Sequence, residues 1–110
     1  MDKPEGCGEV TGSVQRGEAL RRACLAVDQM QANGLVVRLT GSITRGEFRP
    51  GSDVDFLVES CPSQWRYRIE GVVEDVMGLV PFDVIYLDEL TPGRARLVQR
   101  DARWAHEVAV

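Results

Sequence analysis

Apolar residues follow two rhythms along this chain, and each change of rhythm marks an element. Between Ser13 and Gln31, the residues Leu20, Ala23, Cys24, Val27 and Met30 recur at three- and four-residue intervals, the spacing of one helix face. Ser13 is the expected N-cap, and Asn33-Gly34 supplies the stop. The rhythm then shortens. "LVVRLT" (35–40), "DVDFLVES" (53–60) and "LVPFDVIYL" (79–87) read as strands, rich in β-branched and apolar residues. Between the first two, "GSITRGEFRPGS" carries three glycines and a proline, so it is a loop with room for one helical turn after Ser42. Helical spacing returns with Trp65, Ile69, Val72, Val73, Val76 and Met77, in a helix capped by Ser63 and ended by Gly78. Pro81 delays pairing in the third strand or marks an edge. Thr91 and Pro92 open a last helix through Leu97 and Val98.

The order is therefore helix, strand, strand, helix, strand, helix. It predicts an α/β (α+β) architecture, a small mixed β-sheet with helices packed against it. The short link between the first two strands suits an antiparallel pair, and the helical connection to the third suits a parallel crossover. Residues 1–12 are polar and Gly-rich and are expected to form a flexible arm. Residues 13–110 make a single domain with one core.

Composition narrows the partners more than the fold. The chain is 44% hydrophobic and 27% charged, with a net charge of −4, so it carries no overall basic footprint for nucleic acid. Cys7, Cys24 and Cys61 have no metal or redox spacing, and they read as three reduced thiols of a cytoplasmic protein. The N-terminus lacks the pattern of a signal peptide, and the apolar runs are too short to cross a bilayer. The single histidine, His106, excludes a multi-His metal site and reads as a surface residue. Trp65 is expected in the core, and Trp104 in the core or, as the alternative, at a partner contact. Arg94, Arg96, Arg100 and Arg103 on the last helix form either a solvated face or a docking surface for an acidic partner.

The chemistry concentrates in residues 41–58. Side chains two apart on a strand share a face, so Asp53 and Asp55 point one way while Val54, Phe56 and Val58 point into the core. Two ionised carboxylates this close raise each other's energy unless a cation bridges them, and a hard divalent ion such as Mg²⁺ suits oxygen donors. Asp83 interrupts the third, otherwise apolar strand, which can lie beside the second. Three inward-facing carboxylates could hold two metal ions about 3.5–4 Å apart. Ahead of them, Gly41 permits close backbone approach, Ser42 offers a hydroxyl and following amides suited to phosphate, and Arg45 can face the same anion.

In this arrangement the sequence resembles the nucleotidyltransferases of the DNA polymerase beta superfamily. It resembles most the minimal nucleotidyltransferase (MNT) antitoxins of HEPN–MNT toxin–antitoxin systems. The hallmark is Gly-Ser, ten residues, Asp-x-Asp, here Gly41-Ser42 and Asp53-Val54-Asp55. Gly46, Pro50 and Ser52 also stand at motif positions, "FDVI" matches the strand with the third acid, and "LDEL" comes after it. The resemblance spans roughly residues 14–100. Ile43 departs from it, because arginine often follows the serine, and Tyr86 stands where an aspartate is frequent.

The resemblance implies a polymerase beta-like fold and transfer of AMP from ATP to a hydroxyl. Asp53, Asp55 and Asp83 would be the catalytic and metal-binding acids, with two Mg²⁺ ions as cofactors and Asp83 on the ion that activates the acceptor. Gly41, Ser42, Arg45 and Ser52 would bind the nucleotide. The implied partner is a HEPN-type ribonuclease toxin, modified on a tyrosine and thereby silenced. Two alternatives stand beside this: a non-catalytic antitoxin that neutralises by binding, and a free-standing nucleotidyltransferase with a small-molecule acceptor.

Overall fold

A computed structural model describes residues 3–109, with side chains from residue 16 onward. Five α-helices and three strands come in the order α1 (Lys3–Ala32), β1 (Val36–Thr40), α2 (Ser42–Arg45), β2 (Val54–Ser60), α3 (Ile69–Met77), β3 (Phe82–Tyr86), α4 (Pro92–Asp101) and α5 (Ala105–Ala109). β2 is central. It pairs antiparallel with β1 and parallel with β3, the mixed sheet expected from the connections.

One sheet face carries the core. Val37 and Leu39 from β1 and Val54, Phe56 and Val58 from β2 are buried there against Ala19, Ala23, Ala26, Val27 and Met30 of α1 and Ile69, Val73 and Met77 of α3. Phe56 meets Phe82 of β3 edge to face at 6.2 Å between ring centres. Arg22 of α1 donates to the Val76 carbonyl at 2.9 Å, satisfying an orphan acceptor at the end of α3. On the opposite face, the register aligns Thr40, Asp55 and Asp83 in one row, and Arg38, Leu57 and Ile85 in the next. α4 packs over part of this second face. The Thr40 hydroxyl donates to the Val98 carbonyl at 2.7 Å, and Leu57 is fully buried.

Several expectations are corrected. α1 opens at Lys3 rather than at Ser13, so residues 3–12, expected as an arm, are helical backbone. Pro4 falls in the first turn, where a missing N–H costs nothing, and the glycines at 6, 8, 12 and 17 weaken a helix without stopping it. The helix expected from Ser63 is split. Ser63–Trp65 is a 3-10 turn, Tyr67 adopts φ 65°, and α3 starts only at Ile69. β3 starts at Phe82, and the Pro81 carbonyl accepts the first ladder bond from Val54 at 3.0 Å. Thr91 caps α4 as expected, its hydroxyl accepting from the Arg94 N–H at 3.3 Å.

Trp65 packs against the core, half-buried, but Trp104 does not. It is 44% exposed. The neighbouring Arg103 is held in an antiparallel bridge to Leu39, which turns Trp104 outward. The Arg38 guanidinium, paired with Glu59, lies 5.3 Å from the centre of its ring. α5 has no counterpart in the periodicity reading, being a single turn anchored by buried Ala105. Cys24 and Cys61 are free thiols. Cys7 lies outside the described side chains. His106 is exposed and contacts Asp28 at 3.1 Å. Among the described residues no helix is long and apolar enough to cross a membrane.

Among the described residues, Phe56 is the largest fully buried side chain. Phe56→Ala should lower unfolding stability by about 3–5 kcal/mol. Chemical denaturation followed by far-UV circular dichroism measures the loss, and a loss under about 1 kcal/mol would place the core elsewhere.

Candidate functional site

Antiparallel pairing brings the end of β1 to the start of β2, with Thr40 opposite Asp55. Residues separated by a ten-residue loop thus become neighbours: Gly41 and Ser42 leave β1 where Asp53 and Asp55 enter β2. The loop is fastened from within. The Ser52 N–H donates to the Arg49 carbonyl at 2.9 Å, and the Ser52 hydroxyl accepts from the Arg49 N–H at 3.0 Å. The hydroxyl proton of Ser52 stays available to a ligand. The Thr44 hydroxyl donates to the Gly41 carbonyl at 2.9 Å and tightens the α2 turn.

Gly41 is required twice over. Its φ is 85°, in the left-handed region, and its missing side chain makes room for a carboxylate. A Cβ at this position would meet Asp55 Oδ2 well inside the 3.0 Å that real Cβ atoms keep. Ile43, the departure from the motif, points into the core and is fully buried, so it gives nothing to the cleft.

A cleft of about 610 Å³ opens over this junction, within the range of about 300–1,000 Å³ that accepts small molecules. Gly41, Ser42, Arg45, Ser52, Asp53 and Asp55 line it, which is six of the seven residues singled out from the sequence. Thr40 and Ile85 lie on the sheet side. Arg94, Leu97, Val98, Arg100 and Asp101 of α4 form the opposite wall. Sequence reasoning missed that wall. Arg94, Leu97, Val98 and Asp101 keep the i, i+3, i+4, i+7 spacing of one helix face, a signal present in the chain but mixed with charge.

Asp83 is the seventh residue. It sits in register with Asp55 on β3, but it does not line the cleft and is exposed. The inward-facing triad expected from the apolar neighbours of Asp83 is therefore corrected. β3 is an edge strand, and its start stands open to solvent. Arg45 reaches the cleft already engaged, bonded to Glu47 and to Asp101 at 3.0 Å each.

Electrostatics single out Asp55. Its carboxyl is pushed up to about 6, first by burial and then by the charges of Asp83 and Asp53, with Arg45 only partly opposing them. The donor set suits a hard divalent cation in kind: all oxygen, like-charged and without a full counter-charge. Among the described residues, no three acidic, His or Cys side chains are drawn together tightly enough to form a metal shell by themselves.

Comparison with known proteins points to one family. The family described as "Nucleotidyltransferase domain" matches residues 20–105. A solved structure of a candidate minimal nucleotidyltransferase is 32% identical, with a TM-score of 0.60, over 76% of this chain and 87% of that one. No curated protein matches.

Two outcomes test the site. Asp55→Asn should stabilise the fold at pH 7.5, because it removes a carboxylate that folding makes harder to ionise. The penalty is absent below the unfolded value near 4, grows between about 4 and 6, and is complete above 6. The full shift corresponds to about 3 kcal/mol, of which solvent screening of the half-exposed group leaves roughly 1 kcal/mol. Thermal melts at pH 4.0 and 7.5 should show the gain only at the higher pH. Gly41→Ala should cost at least about 1–2 kcal/mol from backbone strain alone, and Gly46→Ala, at a position with open space around it, should cost less than Gly41→Ala.

Proposed function

From the premise that the chain belongs to the nucleotidyltransferase domain family, we propose that it transfers AMP from ATP to a hydroxyl of a HEPN-type ribonuclease partner, acting as its antitoxin. The family and the small mixed sheet with its helices are shared with the minimal nucleotidyltransferase structure. Members of the family generally use a nucleoside triphosphate and a divalent metal. One observation carries the reading: Gly41, Ser42, Ser52, Asp53 and Asp55, read from the sequence as a transfer site, line a single cleft of nucleotide size.

Asp53 and Asp55 are the residues that would hold Mg²⁺, with Asp83 beside Asp55 as the third donor. Bound divalent cations supply charge neutralisation at the phosphoryl oxygens and lower the cost of the departing pyrophosphate. The protein's own share is positioning. Gly41 keeps the backbone close to Asp55, and Ser42 and Ser52 would offer hydroxyls to the nucleotide. Asp83, in the open, would accept the proton of an incoming hydroxyl. An exposed acceptor-side acid suits an acceptor carried on another folded protein, where a sealed pocket would exclude it.

The reading is tested by incubating the chain with ATP labelled on the α-phosphate, Mg²⁺ and the product of the neighbouring gene. Label on a tyrosine of the partner is expected. A stable complex without label would instead support neutralisation by binding, and label on neither would leave a small-molecule acceptor. Asp53→Asn and Asp55→Asn should each reduce labelling by at least about 100-fold. Asp83→Asn should lower the transfer rate far more than ATP affinity, and equal losses in both would remove its assigned role. Addition of Mg²⁺ should raise the melting temperature of the wild type and not that of Asp53→Asn.

A further inference from the structure

The cleft has an acidic side and a basic side, and the basic side is the part no motif assigns. Asp53 and Asp55 stand at the sheet, and Asp101 closes one end of the α4 wall. Three cationic side chains share the cleft with them: Arg45, Arg94 and Arg100. They are not equivalent. Arg45 is committed to Glu47 and Asp101, so its charge is largely neutralised where it stands. Arg100 lies 3.6 Å from Asp101 and shares that carboxylate. Arg94 makes no ion pair with any carboxylate among the described residues, although it lines the same cleft as three of them. Its backbone is fixed, because its N–H is the one that the Thr91 cap accepts.

Nothing on the sheet side takes over its task. The residue after Ser42 is Ile43, which is fully buried and carries no charge into the cleft. A polyphosphate entering beside Asp53 and Asp55 would meet like charge on that side, with serine hydroxyls, backbone and the already paired Arg45 as the donors there. Arg94 is the uncommitted guanidinium on the facing wall. A guanidinium presents a fork of donors that matches two phosphate oxygens at once, and it holds its charge at any working pH.

We propose that Arg94 binds the polyphosphate tail of the nucleotide from α4, across the cleft from Asp53 and Asp55. This rests on the nucleotidyltransferase reading of the same cleft and adds to it the residue that selects a triphosphate over a monophosphate. α4 is thereby part of the substrate site, and its arginines divide by position. Arg94 faces the cleft, whereas Arg96 is exposed and does not line it. Removing either costs the same unit of charge, so the pair separates a specific contact from a general field.

The test measures ATP and AMP binding by titration calorimetry with Mg²⁺ present, on the full chain. Arg94→Ala should weaken ATP binding by about tenfold to a hundredfold. It should change AMP binding by less than about threefold, and Arg94→Lys should recover part of the loss. Arg96→Ala should leave ATP affinity within about twofold. Arg94 is exposed, so the melting temperature of Arg94→Ala should match that of the wild type. Wild-type affinity for ATP retained in Arg94→Ala, or an equal loss in Arg96→Ala, would overturn the assignment while leaving the nucleotidyltransferase reading intact. A wild-type chain that binds no ATP would overturn both.

Discussion

The structure turns on one close approach, between the backbone of Gly41 and the carboxylate of Asp55. Antiparallel pairing sets Thr40 opposite Asp55, so the residue after Thr40 must pass over that side chain. Only a residue without a Cβ can do so, and only glycine accepts the φ of 85° that the turn imposes. The result is a half-buried carboxylate that resists ionisation, at the mouth of a cleft and beside two further acids. A fold has no use for such a group on grounds of stability alone. Its cost falls when positive charge is brought beside it.

The elements legible from the sequence are those whose pattern has a single period. The alternation in β2 and the buried face of α1 form as expected, and so does the Gly-Ser and Asp-x-Asp junction, because strand pairing alone makes it compact. The errors have a common source, which is that apolar neighbours in sequence do not report on coverage in space. Asp83 lies between Phe82 and Val84, yet β3 is an edge and the carboxylate is open. Trp104 is aromatic, yet the bridge of Arg103 to Leu39 turns it outward onto Arg38. Leu79 reads as the start of a strand, yet it is fully exposed. The α4 wall escapes notice for the opposite reason. Its cleft-facing stripe mixes Arg94 and Asp101 with Leu97 and Val98, so hydrophobicity alone does not outline it.

Ile43 shows how a departure from a motif can be absorbed by the fold. At the second position of α2 the chain needs an anchor more than a charge, because a four-residue helix cannot hold itself in place. The buried isoleucine supplies that anchor, and the Arg16 guanidinium adds a long bond of 3.4 Å to its carbonyl. The loop after β1 is thus fixed by packing, and its one cleft-lining cation, Arg45, is already paired with Glu47 and Asp101.

On the proposed role of Arg94, the placement of α4 is part of the chemistry. Three contacts set it against the sheet and α2: Thr40 to the Val98 carbonyl, Arg45 of α2 to Asp101, and the two-way backbone bridge between Leu39 and Arg103 just beyond the helix end. All three engage its second half or the residues immediately after it. The first half, with Arg94, is oriented by the Thr91 cap and by helix continuity rather than by any bond to the sheet. The distance between Arg94 and the acidic side of the cleft is therefore governed by contacts made elsewhere on α4. Thr40 is the central one. It is buried, it faces the cleft, and it is paired with Asp55 on one side and bonded to α4 on the other. A change there would shift the two charged walls relative to each other without altering a single charge.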